Sequence, residues 1–477
     1  MSTAHGTGGQ QSTKDIWKSV LAYAPSNLEY DRALSRHPGY QAAVALDGEI
    51  LGAFSGGYAR IDPEEAMTDG HLFRVASHSK TFTATAVMLL REEGRLSLED
   101  TLGHWLAPLA GSPVQHVSVR ELLSHSAGIT RDGAEADFWA LGRAFPGAGG
   151  LLQGAATGKV IERNEHFKYS NIGYGLLGLL VEAAGGLPFD DFVDARILAP
   201  LQLRDTGADL DARAGELAAG YGTLALAGDH GALAGRTRIE HVHTRSLGAA
   251  TGFYSTASDM ARYFSSHFVG SGTGVLGDDS KRLMQRKAED SGAPGRGYGL
   301  GLIIQDVAGN RSFGHSGGYP GHITRTWAVP KTKVVLSMLT NAIDGPATEY
   351  GERLFALAAL AGKPAPDSCA GVDEEVLRRF TGRFAALWGV VDIAELGGKL
   401  YWINPAAPVA VETTVPLEFV DESTVRSVDP NGFSGYGEKL VFEFDAAGAV
   451  AMRGPGGMLF ERASDFHAPA VLRAPAG

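Results

Sequence analysis

Cysteine is almost absent from this chain: its 477 residues contain one, Cys369. A single thiol excludes intrachain disulfides and has no cysteine partner for a zinc site. Long apolar runs are missing as well. The longest, around residues 173–186, is broken by Glu182 and falls short of the roughly 20 residues that a membrane-spanning helix needs. Positive charge is in deficit, with 42 Lys and Arg against 54 Asp and Glu for a net charge of −12. That balance offers no basic footprint for nucleic acid or an anionic membrane surface. The opening stretch Met1–Gln11 lacks a basic n-region and an apolar h-region, so the expected location is cytoplasmic.

What is present describes an ordinary globular protein: 44% apolar and 20% charged residues, with length for two or three domains. Residues 1–15 are polar and Gly-rich and read as a disordered tail. A helical pattern runs from Ile16 to about Ala33. Two short runs, Tyr40–Leu46 and Glu49–Ser55, flank Asp47-Gly48, a strong hairpin signal. Ser118-Val119-Arg120-Glu121 is a capping box that opens a short helix. Residues 130–165 are Gly- and Ala-rich without a period, and helix patterns follow at 171–184, 188–197 and 260–268. Strand patterns then cover Tyr298–Gln305, Ser312–Gly317, Thr324–Val329 and Val334–Thr340, before a helix at Thr348–Leu360.

Strands at both ends with helices between them predict one α/β (α+β) unit over residues 16–362, whose antiparallel sheet draws on both chain ends. A Pro/Gly/Ala stretch at 363–369 reads as a linker. Beyond it, short strands separated by turns predict a small all-β, barrel-like domain over 370–477.

The stretch on which function turns is Phe73–Phe82, which contains the chain's one Ser-x-x-Lys string, Ser77-His78-Ser79-Lys80. At the start of a helix these two side chains share a face, and the first-turn N–H groups around Ser77 are unpaired. A serine hydroxyl is a weak nucleophile unless a neighbouring base takes its proton. A lysine serves as that base once desolvation or nearby positive charge lowers its pKa. Two more strings supply what this pair needs. Tyr169-Ser170-Asn171, at a helix start, offers a phenol to shuttle the proton and an amide to bind substrate. His315-Ser316-Gly317-Gly318, in a strand, offers glycines that let substrate approach the backbone and N–H groups for a developing oxyanion. Taken singly, each has a bland reading: a surface Ser and Lys, a helix-start aromatic, a structural His.

In this order the three strings resemble the motifs of serine β-lactamase-like and penicillin-binding-protein-like hydrolases, especially the branch of class C β-lactamases, D-aminopeptidases and esterases. Leu122–Ile129 and Gly252–Arg262 also look like that family, and the resemblance covers about residues 38 to 360. It implies an antiparallel sheet beside an all-helical lobe, no cofactor or metal, and a small-molecule or short-peptide substrate. It implies Ser77 as the acylated nucleophile and Lys80 with Tyr169 as the base system, with either able to carry the proton. Asn171 would bind a substrate amide or orient Lys80, Gly317 and Gly318 would sit at the oxyanion strand, and His315 would line the pocket wall. The β-lactamases and transpeptidases of the family usually place Lys where this chain has His315, which weakens an antibiotic or cell-wall reading. No counterpart of the extra glutamate base of class A β-lactamases is identifiable. The expected activity is therefore hydrolysis of a small amide or peptide, with D-residue selectivity as an option, with a carboxylesterase as the alternative and a non-catalytic ligand sensor as the reading from another class. The downstream domain resembles lipocalin-like domains of family peptidases, and Gly432–Gly437 is the loop expected to reach the pocket.

Overall fold

The computed structural model describes residues 12–227, 233–364, 372–407, 414–428 and 435–468. They form two compact units, one of residues 35–351 and one combining 1–34 with 352–477.

In the first unit the hairpin foreseen at Asp47-Gly48 forms between β1 (Gly39–Leu46) and β2 (Glu49–Arg60). Asp47 and Gly48 both take positive φ, as a tight hairpin turn requires. The sheet is completed by β3 (Glu65–Ala66), β4 (Glu289–Asp290), β5 (Arg296–Tyr298), β6 (Ile303–Val307), β7 (Asn310–Tyr319), β8 (His322–Val329) and β9 (Val334–Thr340). All neighbours are antiparallel, in the order β3-β2-β1-β9-β8-β7-β6-β5-β4. The pairing of β1 with β9, Tyr40 opposite Thr340 through Leu46 opposite Val334, joins the two ends of the chain at the sheet centre. Both strands are buried nearly throughout, so they read as continuous apolar runs rather than alternating ones.

One expected strand is two. Tyr298–Gln305 breaks at Gly299, and the chain reverses so that Tyr298 pairs with Ile303 across β5 and β6. Two glycines cause the break. A Cβ on Gly299 would lie 2.1 Å from the Met284 carbonyl oxygen, and Gly301 has φ +79° with its Cα packed against Ala84.

The Ser79–Glu92 helix has no solvent-facing side over most of its length, since every residue from Ser79 to Leu90 is buried. Three of its polar residues are threonines, and each hydroxyl is satisfied: Thr81 donates to the His78 carbonyl at 2.7 Å and Thr83, on the opposite side, to the Ala249 carbonyl at 2.6 Å. Thr85 lies 3.0 Å from His267 Nε2. Paired hydroxyls remove the desolvation cost that would otherwise keep these side chains in water.

The second unit contains a helix, Thr13–Ser35, and an eight-stranded closed barrel running from Gly382–Ala386 to Leu459–Arg462. The helix starts at Thr13, inside the stretch read as a tail and less than one turn before Ile16, where the Ser12 hydroxyl caps it by accepting from Asp15 N at 3.2 Å. A core of Phe380, Phe384, Ile393, Leu400, Leu440 and Met452 fills the barrel. Cys369 and residues 432–434 of the Gly432–Gly437 loop lie outside the described residues.

Candidate active site

The site begins with a tight turn. Ala76 takes φ +50°, a 3₁₀ turn covers Ala76–His78, and the α-helix runs on from Ser79. The neighbours of Ser77 are locked inward. Ser79 Oγ accepts from Phe253 N at 3.0 Å and donates to the Ala76 carbonyl at 2.5 Å. His78 is fully buried between the Val75 carbonyl at 3.0 Å and Thr326 Oγ1 at 3.1 Å. Burial pulls its pKa down to about 3, so it stays neutral. Ser77 is the one residue of the turn left half-exposed, and it faces a cavity of about 340 Å³.

Lys80 is fully buried one turn further on. Its Nζ lies 2.7 Å from Asn171 Oδ1, 2.7 Å from the Ala250 carbonyl and 3.2 Å from Ser77 Oγ. Desolvation holds its pKa well below the ordinary lysine value; Asp132 opposes that shift and Arg131 reinforces it. Tyr169 closes the other side, with its hydroxyl 2.8 Å from Ser77 Oγ and its ring face 4.8 Å from Lys80 Nζ. Desolvation pushes the phenol well above its ordinary value, so Tyr169 rests protonated. The three side chains drawn from Ser-x-x-Lys and Tyr-x-Asn thus converge on one oxygen.

Asn171 is oriented by a residue that sequence reasoning passed over. Its Nδ2 donates to Asp132 Oδ1 at 2.6 Å, which fixes the amide so that Oδ1 faces Lys80. Asp132 also accepts from Trp139 Nε1 at 3.0 Å and pairs with Arg131 Nε at 3.1 Å. The local reason is the loop before the helix: Ser170 caps Asn171–Gly185 by accepting from Gly173 N at 2.9 Å and donates to the Thr130 carbonyl at 2.7 Å, placing Asp132 against Asn171. Because Asp132 raises the Lys80 pKa, its removal lowers that pKa further. Asp132→Asn is therefore expected to move the acid limb of the kcat/KM profile to lower pH, which a pH–rate series checks. A purely structural role for Asp132 would reduce the rate without moving the limb.

His315 lies on β7 in the cavity wall, although it is almost wholly buried. Its Nδ1 lies 2.7 Å from the Ser316 carbonyl, so Nδ1 carries the proton, and Nε2 accepts from the Tyr298 hydroxyl at 2.9 Å. Burial holds it neutral, with its pKa well below the usual range. Gly317, one residue on, lies beneath the site rather than in its lining: a Cβ there would be 2.2 Å from the Val75 carbonyl oxygen. Gly318 is exposed and lines the cavity.

The orientation of the Gly318 backbone follows from register. A two-residue turn, Pro320-Gly321, makes Tyr319 and His322 the closing hydrogen-bonded pair of β7 and β8. Antiparallel alternation then turns the N–H and C=O groups of Gly318 and Ser316 away from β8. On that far side β6 stops at Ile303, opposite Gly314, so the edge beyond Gly314 is open toward the cavity. Other groups that carry no sequence string also line it, among them Arg131, Phe167, Arg296 and Tyr298. Only their position in the fold identifies them. Among the described residues, no group of three or more His, Cys, Asp or Glu side chains could hold a metal ion.

Comparison with known proteins bears on the family and the fold. The sequence pattern of the Beta-lactamase family matches residues 28–361. Penicillin-binding protein 4* of Bacillus subtilis (strain 168) is 26% identical over 372 residues, covering 72% of this chain and 78% of its own. Esterase EstB of Burkholderia gladioli is 28% identical over 363 residues, covering 67% and 91%. Among solved structures, D-amino acid amidase from Ochrobactrum anthropi SV3, complexed with D-phenylalanine, superposes with a TM-score of 0.62 at 24% identity, covering 71% of this chain and 99% of that one. That likeness extends to the fold. With a match over most of its length, the chain belongs to the β-lactamase family of serine hydrolases.

Proposed function

We propose that this protein hydrolyses a small amide or peptide through an acyl-enzyme on Ser77. The observation that carries the reading is the pair of contacts on Ser77 Oγ, 3.2 Å from Lys80 Nζ and 2.8 Å from the Tyr169 hydroxyl.

Hydrogen-bond accounting assigns the protons. Asn171 Oδ1 and the Ala250 carbonyl can only accept, so a neutral Lys80 spends both of its N–H groups on them. Its lone pair is then left for the Ser77 hydroxyl proton. Tyr169, protonated, donates to Ser77 Oγ. In acylation Ser77 Oγ attacks the substrate carbonyl carbon as its proton passes to Lys80 Nζ. The oxyanion forms at the N–H groups of Ser77 and Gly318, each such donor being worth about 3–4 kcal/mol. The scission of the C–N bond requires a proton on the departing nitrogen. Tyr169 supplies it and is reprotonated from Lys80, which returns the base to its neutral form. Water then attacks the acyl-enzyme with the same pair as base, and Ser77 Oγ leaves with the proton.

The protonated phenol favours amides, whose amine must be protonated to depart. A carboxylesterase is the second reading, supported by the likeness to esterase EstB, because an alcohol leaves with less help. Parallel rates on a p-nitrophenyl ester and on D- and L-amino-acid amides separate the two, and turnover of esters alone removes the amidase reading. The nucleophile is tested by mass spectrometry after incubation with a fluorophosphonate. One adduct is expected on Ser77, absent in Ser77→Ala; an adduct that persists in the variant places the nucleophile elsewhere.

A further inference from the structure

The cavity in front of Ser77 is charged on one side only. Its lining contains two guanidinium groups, Arg131 and Arg296, and no carboxylate. This is a local property, since the chain as a whole carries a net charge of −12. Arg131 spends its Nε on Asp132 at 3.1 Å, while its side chain is 65% exposed. Its two Nη groups make no hydrogen bond to the described residues, and Asp132 is its one ion-pair partner among them. The Arg296 guanidinium, half-exposed on β5, has no hydrogen-bond or ion-pair partner among them. Asp132 does not neutralise the cavity by turning into it, because its oxygens are already held by Asn171, Trp139 and Arg131 Nε.

The neighbouring groups cannot take over recognition of an anion. His315 is neutral with both ring nitrogens engaged, one by Ser316 and one by Tyr298. Lys80 spends its donors on Asn171 and Ala250. Guanidinium forks with Nη groups still open in a concave site bind carboxylates through two parallel charge-assisted hydrogen bonds, a geometry that lysine does not offer. Resting on the reading of Ser77 above, we propose that this site selects substrates that carry a carboxylate beside the scissile amide, held by Arg131 and Arg296. The negative charge refused by His315 is thereby recognised by two side chains that no motif contains.

The carboxylate can belong to the leaving group or to the acyl group, and matched ligands distinguish them. Calorimetry on Ser77→Ala, which removes turnover, compares acetyl-Phe-Ala with its C-terminal amide, and succinyl-Phe-amide with acetyl-Phe-amide, in both configurations of Phe. In one of the two pairs the carboxylate ligand is expected to bind about tenfold or more tightly. The preference is expected to shrink with added salt. It is expected to collapse to less than about threefold when Arg131→Gln and Arg296→Gln are combined, and to survive in part in Arg296→Lys. Equal affinities in both pairs, no measurable binding of either carboxylate, or a preference that persists in the double substitution overturns the proposal. The fluorophosphonate adduct on the wild-type protein tests the catalytic reading separately, so either can fail alone.

Discussion

Replacing Lys80 with alanine is expected to slow acylation of Ser77 by about 10³–10⁴-fold, near the upper end of what one general base contributes. The estimate follows from the accounting at Nζ: no other group within reach of Ser77 Oγ rests in a form that can accept its proton, since Tyr169 is protonated and donating. Burst kinetics with an activated ester measure the step directly, and an unchanged burst would mean that another base operates. The wild-type pH profile carries the same information with a definite sign. Lys80 works as the neutral amine, so acylation rises with pH through its depressed pKa and is already high below the ordinary lysine range. An acid limb near pH 10 would show instead that burial leaves Lys80 charged.

Gly317→Ala is expected to damage folding and activity together. The new Cβ would lie 2.2 Å from the Val75 carbonyl oxygen and 2.4 Å from Thr324 Oγ1, so the backbone must shift. Overpacking of this kind costs about 1–3 kcal/mol. Its functional cost is larger than its stability cost suggests, because the Val75 carbonyl also accepts from His78 N at 3.1 Å and so shapes the turn that presents Ser77. A displacement near 1 Å at a nucleophile can reduce the rate by about 10²-fold. Gly318→Ala is the control for stability. Its Cβ meets only Ile323 Cδ1 at 3.6 Å, an ordinary contact, and its melting temperature is expected to match that of the wild type. Thermal denaturation of the two variants side by side checks the contrast; equal losses would mean that the strand tolerates or rejects both alike.

Much of the fold was legible in local chemistry. Asp47-Gly48 specifies a hairpin because both residues accept positive φ, and Ser118 with Glu121 specifies a helix start because each satisfies the other's backbone donor. The Ser79–Glu92 helix was legible in position but not in burial. The threonines at 81, 83 and 85 are polar in sequence, and only the carbonyls of His78 and Ala249 and the ring of His267 let them lie in the interior. Tyr298–Gln305 was misread because the close approaches that leave room for no side chain at Gly299 and Gly301 involve Met284 and Ala84, which lie outside the segment. Asp132, Arg131 and Arg296 escaped for a related reason: charged residues in a loop or at the end of a short strand carry no period and no string.

What the sequence by itself determined, then, are the reactive groups and their order along the chain: Ser77 three residues before Lys80, Tyr169 two before Asn171, and His315 just ahead of two glycines. These are statements of residue type and short spacing, and backbone geometry converts short spacing into a shared face or a capped turn within a few ångströms. Tertiary structure alone decided their protonation and their surroundings. On the proposed reading a lysine becomes a base because Asn171, Ala250 and the rings of Tyr169 and Tyr174 exclude water from it, and those groups come from two places in the chain, residues 169–174 and Ala250, both far from Lys80 in sequence. Desolvation and charge depend on everything packed within a few ångströms of an atom, and that neighbourhood exists only once the sheet has joined both ends of the chain.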